Sequence, residues 1–423
     1  MSDPRPDRDG SSRRDFLQRS AALGLSALLG REALTPLLAD RPRGPETVLV
    51  LVQLSGGNDG LSMVVPHADP VYHARRTSTR HEANAVLRLD GSLGFNPALA
   101  ELHRHFGAGA LAVVPGCGYP RPNRSHFESM DIWHAADERG AAVGRGWLGR
   151  WADATLPDPA DPNAMVAVGK AVPLALRADR AKAVAFRNPL AYRVAAREEQ
   201  RDPLRRVSEA EIEAERPVGE SDLDFLRRVA RRARESSFRI RRAVEGYRPK
   251  VNYGPGGRLG VDLRLAASLI AARLGTRVIH CTLGGFDTHV NQRPTHDARM
   301  RELSRALDAF QRDLAAGGHA DRVVTLVFSE FGRRVAENGS QGTDHGTAGP
   351  VLLLGEPLRG GLYGSQPSLT DLDARGDMKM TTDFRAIYAS LVERWLGGSA
   401  KTVLGPDRRP LADLLPERPA VDG

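Results

Sequence analysis

Cysteine is almost missing from this 423-residue chain, which has two, Cys117 and Cys281. That excludes a disulfide-stapled scaffold and a cysteine-rich zinc module. Lysine is nearly as scarce, at five of 60 basic residues, so the net charge of +8 is carried almost wholly by arginine. No zinc-finger, homeodomain or aromatic-studded motif accompanies the charge, which therefore reads as a solvated basic surface and predicts no specific nucleic-acid partner. No apolar run reaches the roughly 20 residues of a membrane span. Neither a Gly-X-Y period nor a longer internal repeat occurs, which excludes collagen, solenoids and propellers. What remains is 41% hydrophobic and 26% charged residues, enough to bury a large core.

The first 39 residues stand apart from the rest. Ser12-Arg13-Arg14-Asp15-Phe16-Leu17 precedes a weakly apolar run, Ala21–Leu29, and a second small-residue run ends at Ala39. Paired arginines before a short apolar segment form the twin-arginine export pattern. Residues 1–39 are therefore expected to be a signal peptide recognised by the twin-arginine translocase. The mature chain is then expected to be periplasmic or secreted, without a transmembrane segment.

From residue 40 onward strands alternate with helices. Thr47–Leu54 is a continuous apolar run of the kind found in a strand buried on both faces. Further strands are expected at Leu111–Val114, Arg277–Leu283, Arg322–Phe328 and Val351–Leu354. Helices are expected near 97–106, 261–274, 298–315 and 382–396. The pattern predicts an α/β fold with a doubly wound, mostly parallel sheet, which takes ligands beyond the carboxyl ends of its strands. Residues 191–247 break the alternation and are highly charged, which predicts a helical insertion or cap rather than a separate domain.

The chemistry-bearing residues follow the strands. Asp59 comes after the first, Arg124-Ser125-His126 after the second, and Asp287 with His289 after the third. Glu330 and Arg333 follow the fourth, and Asp344-His345 precede the fifth. Taken singly, each has a plain structural role open to it. Asp59 suits a turn, Ser125 a helix cap, and Glu330 an ion pair with Arg333 or Arg334. Taken together, carboxylates and imidazoles gathered at one sheet edge are a donor set for zinc, manganese or iron. Arg124 and Arg333 are candidates for gripping an anionic ester by paired hydrogen bonds.

Ser-Gly-Gly-Asn-Asp-Gly-Leu (55–61), Asn-Arg-Ser-His-Phe (123–127), Gly-Gly-Phe-Asp-Thr-His-Val-Asn-Gln (284–292), Ser-Glu-Phe-Gly-Arg (329–333) and Thr-Asp-His-Gly (343–346) resemble the exported family called domain of unknown function 1501. That family is in turn similar to the alkaline phosphatase and sulfatase superfamily. The resemblance implies metal ligands at Asp59, Asp287, His289, Glu330, Asp344 and His345, and a nucleophilic hydroxyl at Ser125. It implies one or two divalent ions and hydrolysis of a phosphate or sulfate ester. Phe331 stands where the superfamily has a histidine. Asp344 or His126 is left to make up that ligand, or else a single ion binds through Asp287, His289 and His345. A catalytically degenerate metal-binding protein, acting as an adaptor for a secreted partner, is the alternative reading.

Overall fold

The apolar run after residue 47 forms β1 (Val48–Ser55), buried along its whole length except at the last residue. Its side chains alternate between two cores. Val48, Val50, Val52 and Leu54 enter one, while Leu49 and Leu51 enter the other. A strand covered on both faces needs apolar residues at successive positions, which is why Val48–Val52 is wholly apolar. Each such side chain contributes about 1.5–3 kcal/mol by leaving water.

The computed structural model describes residues 47–157, 160–189, 222–254 and 257–416. The expected signal peptide lies outside them, and so do residues 190–221 of the expected insertion. Within Thr47–Gly423 the central sheet continues with β2 (Leu111–Gly118), β3 (Met165–Val168), β4 (Ala183–Phe186), β5 (Val278–Gly284) and β6 (Val323–Ser329). It is completed by β7 (Gly349–Leu354), β8 (Gly361–Leu362) and β9 (Thr382–Asp383). The order is β8-β2-β7-β6-β1-β5-β3-β4, and β9 also pairs with β2. All pairings are parallel except those of β7, which runs antiparallel to both β2 and β6. The fold is thus α/β with a mostly parallel sheet.

The helices that flank it are α1 (Gly60–Met63), α2 (Ala100–Gly107), α3 (His126–Ala135), α4 (Trp147–Thr155), α5 (Asp222–Gly246), α6 (Gly257–Ala271), α7 (Gln292–Ala316) and α8 (Phe384–Ser390). Side chains of α2, α6 and α7 pack on one face of the sheet, and those of α3, α4 and α8 on the other. Among the described residues no helix is long and apolar enough to cross a membrane.

Several boundaries differ from expectation for local reasons. Thr382–Asp383 is a strand rather than a helix start, because Asp383 caps α8 by accepting from the Arg385 amide. The helix expected near 298–315 begins earlier, at Gln292. β3 and β4 extend the sheet beyond β5 but are only four residues each, too short to stand out by periodicity. Of the charged stretch, residues 222–246 form the single helix α5, whose Ile240 is buried in the core while Phe238 is exposed.

Candidate metal centre

Three strand-end loops are drawn together by glycine and by one buried arginine. Gly56 and Gly57, directly after β1, have φ of +119° and +67°. A Cβ on Gly56 would lie 2.5 Å from the Asp287 amide nitrogen, and one on Gly57 would lie 2.3 Å from the Phe331 ring. Only glycine permits both the backbone angle and the approach. Arg333 closes the junction. Fully buried, it donates to the carbonyls of Gly56 (2.6 Å), Gly57 (2.7 Å), Phe286 (3.1 Å) and Thr343 (2.7 Å), and to Asp287 Oδ1 (2.7 Å).

Four side chains meet above this junction. Asp287 Oδ1 lies 2.9 Å from His289 Nε2, 3.3 Å from His345 Nε2 and 3.5 Å from His126 Nε2. His289 Nε2 and His345 Nε2 are 3.0 Å apart. One ligand atom each from His126, Asp287 and His345 falls within a mutual 4.8 Å, a spacing that could hold a metal ion.

The other nitrogen of each ring is held by an acceptor. His345 Nδ1 lies 2.9 Å from the Arg124 carbonyl oxygen, and His126 Nδ1 lies 2.8 Å from Glu330 Oε1. His289 Nδ1 faces Asp344 Oδ1 at 3.3 Å. A carbonyl or carboxylate beside Nδ1 assigns the proton there and leaves the Nε2 lone pair for a ligand, the usual arrangement of metal-bound histidine. Nε2 of His126 has no hydrogen-bond partner among the described residues. Several lone pairs directed at one point repel one another unless a cation lies between them. Separations of 2.9–3.5 Å are also close to the tetrahedron edges around an ion with bonds of about 2.0–2.1 Å. The donor set fits a divalent metal.

The charge states agree with this. Burial pushes the Asp287 carboxyl up, but Arg333 and the neighbouring histidines outweigh it and bring it down to about 2. Burial lowers the pKa of His345, favouring the neutral ring that binds metal. Hydrogen bonding from Asn338, more than proximity to His289, keeps Asp344 below the ordinary aspartate range.

Of the residues expected to act here, Asp287, His289 and His345 are brought together. Glu330 and Asp344, expected as ligands, stand behind His126 and His289 instead. Glu330 is almost wholly buried, and its carboxylate also accepts from the Gly56 amide and the Ser329 hydroxyl, both at 2.9 Å. Asp59, expected beside the metal, is engaged elsewhere. Its oxygens take a two-point ion pair with Arg76 (2.5 and 3.0 Å) and further bonds from Ser62, Gln292 and the Leu61 amide. Burial alone would raise its pKa, yet Arg76 and these donors hold it far below the ordinary range.

Arg333, expected to grip a substrate anion, spends its donors on backbone carbonyls and Asp287, and its Nη1 also lies 3.4 Å from His289 Nε2. Arg124 lies 3.4 Å from the fully buried Asp377 and remains partly exposed. Ser125 caps α3, its Oγ accepting from the Glu128 amide at 3.5 Å. Phe331, whose lack of an imidazole is legible in the sequence, packs on His126 and His345 with ring centres 4.8 and 5.0 Å away and forms an apolar wall beside them.

His126 enters the cluster as a ligand candidate in its own right, not as a substitute. Its position at the first turn of a helix after a parallel strand was the available clue. Arg76 and Gln292 had no such clue, because a buried salt-bridge partner leaves no spacing pattern.

No curated protein sequence matches the chain. Among solved structures it is similar to Ps i-CgsB, with 10% identity, a TM-score of 0.33, and coverage of 86% of this chain and 77% of that one. The same protein in complex with k-i-k-neocarrahexaose gives 10% identity and a TM-score of 0.31 over 75% and 67% of the two chains. The C-terminal periplasmic domain of EcEptC from Escherichia coli, in complex with Zn, gives 10% identity and a TM-score of 0.29 over 75% of each chain. At this level of likeness the site's chemistry has to come from the chain's own residues. Residues 46–403 match the family described as "Protein of unknown function (DUF1501)", and the chain belongs to that family.

Proposed function

We propose that the chain is an exported, metal-dependent hydrolase of phosphate or sulfate esters. The observation that carries this reading is the convergence of His126, His289 and His345 Nε2 on Asp287 Oδ1, with every Nδ1 held from behind. Imidazole-rich ligation suits zinc or iron better than magnesium or calcium. An ion held there supplies Lewis acidity toward the ester and lowers the pKa of an adjoining hydroxyl or water.

Ser125 is the nucleophile in this reading. It directly precedes His126, and its only described hydroxyl contact is the weak cap of 3.5 Å, so little holds it from reaction. Its oxygen bonds to phosphorus or sulfur, the ester bond breaks, and the alcohol leaves with the serine proton. Water then cleaves the seryl ester and restores the hydroxyl. Arg124, partly exposed beside the cluster, is the candidate for holding the anionic oxygens. The twin-arginine pattern of residues 1–39 supports export.

The test is turnover of aryl phosphates and aryl sulfates by the metal-loaded chain, beside Ser125→Ala. Loss of turnover with metal content retained supports the reading. Unchanged turnover removes Ser125 as nucleophile and overturns this mechanism.

A second reading has its own observation. Asp59 is closed off by Arg76, and Phe331 replaces an imidazole, so His126, Asp287 and His345 form the one metal-type group among the described residues. A chain that binds one ion per molecule yet turns over no ester in either class would be a metal-binding adaptor rather than an enzyme.

A further inference from the structure

We propose a second binding site, for a small organic anion, at the carboxyl ends of β1, β3 and β5. A cavity of about 560 Å³ opens there. That volume suits a small molecule, and this edge of an open α/β sheet is where such folds take ligands. None of the four metal-cluster side chains lines it.

Its floor is polar where the sheet should be apolar. On the same face of β1 as Leu49 and Leu51 comes Gln53, and opposite Leu51 in the parallel register is His280 rather than a hydrophobe. Gln53, His134 and His280 are 8%, 6% and 4% exposed. His134 Nε2 lies 3.0 Å from Gln53 Oε1, whereas His280 Nε2 has no hydrogen-bond partner among the described residues. Polar groups buried in mid-sheet weaken a fold, and an unpaired one weakens it most. Their placement under a cavity makes sense if a ligand takes up that capacity.

The rim is cationic. Lys170, Arg187 and Arg258 line the opening and are all exposed. Asp262 neutralises one of them, with its Oδ1 2.9 Å from Arg258 Nε. Among the described residues two positive charges are left over a neutral, hydrogen-bonding floor, which is the arrangement for an oxyanion head on a polar body. The site is also placed to communicate with the metal cluster. α3 carries His126 at its start and His134 eight residues on, about 12 Å along the helix.

The experiment uses the full chain labelled with ¹⁵N-histidine, chelator-treated and separately zinc-loaded. Inorganic phosphate and citrate are titrated in, followed by side-chain NMR and calorimetry. The expected result is saturable binding of at least one probe in both preparations, with His280 and His134 resonances moving. Lys170→Met combined with Arg187→Met, both at the exposed rim, should weaken that binding by about tenfold or more. The tighter probe identifies a tetrahedral or a planar oxyanion. Absence of saturable binding overturns the proposal, as does binding unchanged in the rim variant. Binding that disappears on chelation also overturns it, because the anion then belongs to the metal centre.

Discussion

Glu330 and Asp344 stand behind two histidines of one cluster, and their surroundings rank them. Glu330 is buried and lies 2.8 Å from His126 Nδ1, whereas Asp344 is half-exposed and lies 3.3 Å from His289 Nδ1. Partners that orient a ligating histidine are typically worth 10- to 100-fold in metal affinity. Glu330→Gln should therefore weaken zinc binding by about that range, and Asp344→Asn by clearly less, in competition against a chromophoric chelator. Equal effects would sink the ranking. Asp59 makes the opposite case. Asp59→Asn leaves the Arg76 guanidinium buried without its counter-charge, at a cost of about 3–5 kcal/mol. Urea denaturation should register that loss while the zinc affinity of the folded protein stays within about twofold. A parallel loss of zinc affinity would return Asp59 to the metal site.

At the scale of elements, the cluster depends on how closely the β1 loop approaches the loop after β5. Gly56→Ala places a methyl group 2.5 Å from the Asp287 amide and forces an alanine to φ +119°. It should lower the melting temperature and zinc affinity together. Gly107→Ala is the control, a helical glycine with no atom within 4 Å of its missing Cβ, where alanine should be neutral or slightly stabilising. A Gly56 variant as benign as the control would mean that the loops can separate without loss of the site. The same approach explains what could be seen in the sequence. β1, β2, β5 and β6 announce themselves as apolar runs, and the residues after them are readable as one sheet edge. Which of those residues face each other depends on backbone packing and on Arg333, most of whose acceptors are carbonyls with no sequence signature. That is why Asp287, His289 and His345 could be placed on one edge in advance, while the Arg76 partner of Asp59 and the His126 and Gly56 partners of Glu330 could not be read from the sequence.

At the scale of the whole molecule, three buried histidines set the response to acid. Burial depresses His134 to about 3, aided by its neighbour His280, and depresses His280 to about 4. It also brings His296 to about 4 against the opposing pull of Asp59. All three are neutral in the fold but titrate near 6.5 once unfolded. Between about pH 6.5 and 4 the unfolded chain thus binds more protons, and stability must fall as pH falls. Each group contributes a slope of up to about 1.4 kcal/mol per pH unit, so together they can remove about 4 kcal/mol per unit. Depressed carboxylates such as Asp59 and Asp287 add their loss only further down, as pH drops below their ordinary values near 4. Metal-free protein is the material to use, since a bound ion would add a pH dependence of its own. Urea denaturation at successive pH values should therefore show stability declining well before the carboxylates titrate, with a shallower decline in His296→Asn. A stability profile flat from pH 7 to about 5 would mean that the buried rings find protons or partners inside the fold, and the acid argument would fail.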